Sequence, residues 1–134
     1  MAITAAITLT SAAGDLTTDA LSLSTSCGLT KAGLSTALSN TSGLARKTTT
    51  SASEYTLFAA ADYTDDKANK IYLKNTETNA ALYFEVQIAG AVVGRLYAGD
   101  WALIPWAGTT RTTDKNILAY GASAGLIVEF GIYQ

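Results

Sequence analysis

Histidine is absent from this 134-residue chain, proline and cysteine occur once each, and only 15% of residues are charged. Each absence removes a class of chemistry. Without histidine there is no Ser-His-Asp or Cys-His arrangement, and the usual general base at neutral pH is missing. A zinc centre built on histidine and cysteine clusters is excluded for one chain. The lone Cys27 can form no disulfide within the chain, which suits a reducing compartment or an assembly route that begins in one. It lies between Ser26 and Gly28 with nothing to activate it, so it reads as a small packing residue. No phosphate-cradling G-x-x-x-x-G-K-[ST] loop occurs. No stretch approaches the roughly 18 consecutive apolar residues of a membrane-spanning helix. The opening MAITAAITLTSAAG lacks a basic start and is broken by threonines, so it does not read as a signal peptide.

The formal net charge of −2 and the scattered lysines and arginines leave no basic face for nucleic acid or for an anionic membrane surface. Neither is expected as a partner. Carboxylates are the remaining catalytic option, as in glycosidases. Glu85 and Glu129 alternate with apolar residues and are expected to face solvent or a subunit contact, so no catalytic residue is assigned and no enzyme is expected. The loop DYTDDKAN offers Asp62, Asp65 and Asp66 as weak cation ligands, without the Asp-x-Asp-x-Asp-Gly spacing of an EF-hand and with Lys67 and the following Lys70 intruding. It reads better as a turn whose short polar side chains satisfy local backbone groups, so neither metal nor cofactor is expected. Asn40-Thr41-Ser42 is formally a glycosylation sequon, which matters only on a secretory route.

What is present is alternation with period two. Ile3, Ala5, Ile7 and Leu9 share one face of a first strand, and a short strand is expected around Leu21 and Leu23. From Thr25 to Ser53 the pattern loosens into Ser, Thr, Gly and Ala with isolated leucines. The second half is firmer: Tyr55–Ala60 reads as a strand, Ile71 and Leu73 alternate with Tyr72 and Lys74, and Leu82 with Phe84, Val86 and Ile88, and Leu126 with Val128, Phe130 and Ile132, each share one face. Val92–Tyr97 is expected to pair with Asp100–Trp106 across Ala98-Gly99 as a tight hairpin. Together these predict an all-β chain of about eight to ten short strands, a single antiparallel β-sandwich domain over residues 1–134, jelly-roll-like, with a loose segment at 25–53.

RLYAGDWALIPW, Arg95 to Trp106, holds both tryptophans and the one proline. Strand parity puts Trp101 and Trp106 on opposite faces, so one ring is expected in the core and the other outside. Pro105 cannot donate to a β-ladder and marks an edge, a bulge or a strand end. Arg95, Tyr97, Trp101 and Trp106 form the candidate interaction patch, of the residue types enriched at the centres of protein contacts. A saccharide platform on Trp101 or Trp106 with Tyr97 is the alternative.

The segments KIYLKNT (Lys70–Thr76), YFEVQI (Tyr83–Ile88), VGRLYAGDWALIPW (Val93–Trp106) and LIVEFGIY (Leu126–Tyr133) resemble small virion proteins of tailed bacteriophages. The likeness is to the β-sandwich capsid cement (decoration) proteins and related small tail-associated proteins. It covers roughly Ile71 to Tyr133. The N-terminal half matches only in its Ala/Thr style. The resemblance implies a structural role without cofactor, partners in the major capsid protein or other virion proteins, and a homo-oligomer, possibly a trimer. It also implies a place in the virion, assembled in the host bacterial cytoplasm; a tail, baseplate or fibre component is the alternative within the same class.

Overall fold

A computed structural model describes residues 3–15, 18–29, 41–50, 53–63, 69–107, 109–110 and 113–134. By internal contacts the chain divides into two units, Met1–Ser39 and Asn40–Gln134.

Among its described residues the first unit contains one antiparallel pair, β1 (Ile3–Thr10) and β2 (Ser22–Leu29), in unbroken register from Ile3 opposite Leu29 to Thr10 opposite Ser22. β2 runs well past the expected Leu21–Leu23, because Thr25 and Cys27 keep the parity of Leu23 and Leu29 without being aliphatic.

The second unit is the sandwich. Its strands are β3 (Ala45–Thr48), β4 (Glu54–Phe58), β5 (Asn69–Asn75), β6 (Tyr83–Ile88), β7 (Ala91–Tyr97), β8 (Trp101–Trp106), β11 (Ile117–Gly121) and β12 (Ile127–Tyr133). A two-residue pair, β9 (Thr109–Thr110) with β10 (Thr113–Asp114), lies between β8 and β11. The sheets run β3-β12-β5-β8 and β4-β11-β6-β7, with every adjacent pair antiparallel. Taken in chain order as first to eighth, these strands give orders 1-8-3-6 and 2-7-4-5. That is the order of a jelly roll.

Alternation explains the core. Ile71, Leu73, Val128, Ile132 and Trp106 from one sheet meet Phe58, Phe84, Val86, Ile117 and Ala119 from the other, all buried. Fully burying a side chain of this size contributes about 1.5–3 kcal/mol. Phe58 closes one end of this layer, its ring 5.5 Å from Phe130 and 6.2 Å from Trp106, with Tyr63 packed on both Phe58 and Trp106.

The expected hairpin between β7 and β8 does not form. β7 pairs with β6, and β8 pairs with β5 in the opposite sheet. The two Ala-Gly turns differ in backbone geometry. At Ala89-Gly90 both residues have positive φ, 52° and 79°, the type I′ pattern whose twist matches a hairpin. At Ala98-Gly99 only Gly99 is positive, at 85°, the type II pattern, which splays the flanking strands. The same dipeptide therefore makes a hairpin in one place and a sheet-to-sheet corner in the other.

Asn75, fully buried at the end of β5, fastens that corner. Its backbone N–H donates to Asp100 (2.9 Å) and its carbonyl accepts from Gly99 (3.0 Å). Its amide Nδ2 donates to the Leu82 and Leu96 carbonyls at 3.2 and 3.0 Å, and Oδ1 accepts from the Glu77 N–H at 3.0 Å.

Candidate functional site

In β6, Tyr83 and Glu85 alternate with buried Phe84 and Val86 and so face out of the sandwich. Register then sets Tyr97 opposite Tyr83 and Arg95 opposite Glu85. The guanidinium of Arg95 donates from Nε to Glu85 Oε1 at 3.0 Å, and its terminal NH2 nitrogen lies 3.0 Å from the same oxygen. It sits over the Tyr83 ring, 4.6 Å from the centroid, and the Tyr83 and Tyr97 rings are 5.2 Å apart. Hydrogen bonding to Glu85, then to Tyr97, moves the Arg95 pKa up from its ordinary value. The result is a pre-ordered cation–aromatic stack on a rigid strand pair.

Further along β7 the register slips between Val86 and Gln87, a bulge that leaves Val93 without an opposite residue. Val92 and Val93 are 55% and 58% exposed and Tyr97 is 42% exposed. β7 is also a sheet edge, hydrogen-bonded to β6 alone. An aromatic–Arg face continuous with an apolar edge strand is suited to being covered by protein.

The outer face of the other sheet carries a different row. Register aligns Arg46, Glu129, Lys74 and Trp101 across its four strands. Arg46 pairs with Glu129 at 2.8 Å, and its Nε donates to the same carboxylate oxygen at 2.9 Å. The hydroxyl of Tyr72 reaches the other oxygen at 3.5 Å, and burial together with the Glu129 charge pushes that phenol's pKa up. A shallow cleft of about 310 Å³ is lined by Arg46, Lys74, Asn75, Thr76, Glu77, Gly99 and Glu129.

The four predicted patch residues are therefore distributed over three places. Arg95 and Tyr97 stand together in the stack. Trp101, 49% exposed, projects from the opposite sheet. Trp106 is 5% exposed, in the core, and its Nε1 donates to the Lys115 carbonyl at 2.6 Å. Tyr83 and Glu85 were missing from the predicted patch. A hairpin centred on Ala89-Gly90 with one bulge would have brought them in.

Asp62 is exposed at the end of a single 3₁₀ turn, Ala60–Asp62, while Asp65 and Asp66 lie outside the described residues. Among the described residues, no three metal-ligating side chains gather, and no helix is long and apolar enough to cross a membrane. No protein-family model matches the chain, and no curated protein matches it.

Proposed function

We propose that the protein is a structural virion component of a tailed phage, a capsid cement protein that reinforces capsomer junctions by buried area and strand pairing, without chemistry of its own. The observation that carries this reading is the β6–β7 surface. Its Arg95–Tyr83–Tyr97 stack runs into the exposed valines of an edge strand paired on one side only among the described residues. Such a surface offers a partner both rigid anchors and a row of backbone donors and acceptors. The low charge of the chain and the resemblance of Ile71–Tyr133 support the same reading. The partner is then the major capsid protein or another virion protein. The test is the copy number of Arg95→Ala/Tyr97→Ala chains in purified particles. Cement bound through this surface falls at least tenfold, whereas unchanged incorporation sinks the assignment of the surface.

A saccharide-binding role has one observation in its favour. Trp101 is a half-exposed ring opposite Lys74, and Lys74 lines the cleft above. Tryptophan fluorescence that shifts on adding oligosaccharides, and fails to shift in Trp101→Ala, would establish it. Silence across a glycan array would remove it.

A further inference from the structure

Two side chains on the outer face of the β3-β12-β5-β8 sheet are uncommitted, and they stand directly opposite one another. Lys74 of β5 is in register with Trp101 of β8, which puts the two side chains within reach of one ligand. Among the described residues the Lys74 ammonium makes no hydrogen bond or ion pair and lies over no aromatic ring. Among the same residues the half-exposed Trp101 packs on no other ring, and its indole N–H has no hydrogen-bond partner. An indole ordinarily buries its rings and gives its N–H to an acceptor. Trp106, in the same strand, does both. Trp101 does neither.

Lys74 also lines the cleft of about 310 Å³, a volume at the small end of the range of about 300–1,000 Å³ for ligand pockets. Formal charges around it cancel, Arg46 and Lys74 against Glu77 and Glu129. Both oxygens of Glu129 are occupied, one by Arg46 and the other by the Tyr72 hydroxyl. Glu77 accepts the Ile127 N–H at Oε1 (2.9 Å) and keeps Oε2 free among the described residues. Arg46 engages Glu129 through Nε and one terminal nitrogen and keeps the other, while Lys74 keeps all its donors. The row from Arg46 to Trp101 therefore offers free donors and a free acceptor, no net charge, and a flat apolar ring at one end. Three strand spacings separate its ends, about 14 Å.

That combination selects a class of ligand. A pyranose has an apolar C–H face that stacks on an indole, and edge hydroxyls that both donate and accept. With the charges cancelled, an ionised ligand gains no attraction from the cleft, and an acidic one meets the carboxylate of Glu77. We propose that Trp101 and the cleft, joined through Lys74, bind a short neutral oligosaccharide. One ring stacks on Trp101, and the next accepts hydrogen bonds from Lys74 and Arg46 and donates one to Glu77. The assignment rests on the saccharide reading of Trp101, adds to it the cleft and the uncharged state of the sugar, and is independent of the cement reading.

The experiment is calorimetric titration of the full chain with neutral trisaccharides of glucose, galactose, mannose and N-acetylglucosamine, with trigalacturonate as the acidic counterpart. At least one neutral trisaccharide is expected to bind with a Kd of about 0.1–1 mM. That Kd should change by less than about twofold between about 20 and 500 mM salt. Lys74→Met, which keeps the aliphatic stem, and Trp101→Ala should each weaken binding about tenfold or more. No saturable binding of any neutral trisaccharide at about 10 mM overturns the inference and the saccharide reading together. Tighter, salt-sensitive binding of trigalacturonate overturns the neutral assignment. Binding that is lost in Trp101→Ala but unchanged in Lys74→Met overturns the cleft and leaves the saccharide reading of Trp101 standing.

Discussion

Two buried asparagines on β5 are predicted to respond oppositely to the same substitution. Asn69 and Asn75 both point inward and both are fully buried. Asn75 uses its side chain in three hydrogen bonds, to Leu82, Leu96 and Glu77. Among the described residues, neither amide atom of Asn69 has a hydrogen-bond partner. Leucine keeps the branched shape and replaces the two polar tips with methyl groups. At Asn75 the change removes three bonds at about 1 kcal/mol each, and frees the corner that sends β7 and β8 to different sheets, so a loss of about 3 kcal/mol is expected. At Asn69 it removes an unpaired buried amide, whose burial costs about 1–3 kcal/mol, against some strain from the larger side chain. A net gain of about 1 kcal/mol is expected there. Urea unfolding followed by tryptophan emission reads both, and a Tm shift of about 4–8 °C per kcal/mol is in range for a unit of this size. A loss of 1 kcal/mol or more at Asn69→Leu would mean that its amide is hydrogen-bonded in solution, and would refute the reasoning.

Three further outcomes are expected. Hydrogen bonds from Ser53 and Thr50 lower the Tyr55 phenol from 10.0 to about 8. Because the folded value is the lower one, ionisation adds stability as pH rises from about 8 to 10 and adds nothing at pH 7. The gap in unfolding midpoint between wild type and Tyr55→Phe should therefore widen over that interval, and a flat gap would contradict the assignment. Ala89→Asn relieves a left-handed alanine and should gain about 0.5–1 kcal/mol by thermal unfolding, whereas Ala98→Asn, at negative φ, should gain nothing. Trp106→Phe loses ring volume and the bond to Lys115 and should cost about 2 kcal/mol, while Trp101→Phe stays within about 0.5. Iodide should quench only the variant that retains Trp101.

Strands that bury one side were legible in the sequence. Ile71 with Leu73, Phe84 with Val86, and Leu126 with Val128 and Ile132 alternate because each must face the core, and the same parity separated Trp101 from Trp106. β3 was not legible, because all four of its residues are exposed and only pairing with β12 makes them a strand. Nor were the inward asparagines, since a polar residue at a buried position breaks the pattern that signals burial. The candidate patch failed to close for a related reason. Ala89-Gly90 and Ala98-Gly99 are identical in sequence, and their turns differ through tertiary contacts, chiefly the Asn75 clamp. Arg95 and Tyr97 therefore stay together while Trp101 goes to the other sheet.

The central proposal is that this jelly roll is a cement that covers and joins capsid proteins on the head of a virion. Low-resolution imaging of purified particles carrying a tagged copy tests it most directly. The account predicts label distributed over the head, in numbers comparable with the major capsid protein. Label confined to the tail, or absent from the particle, would contradict it.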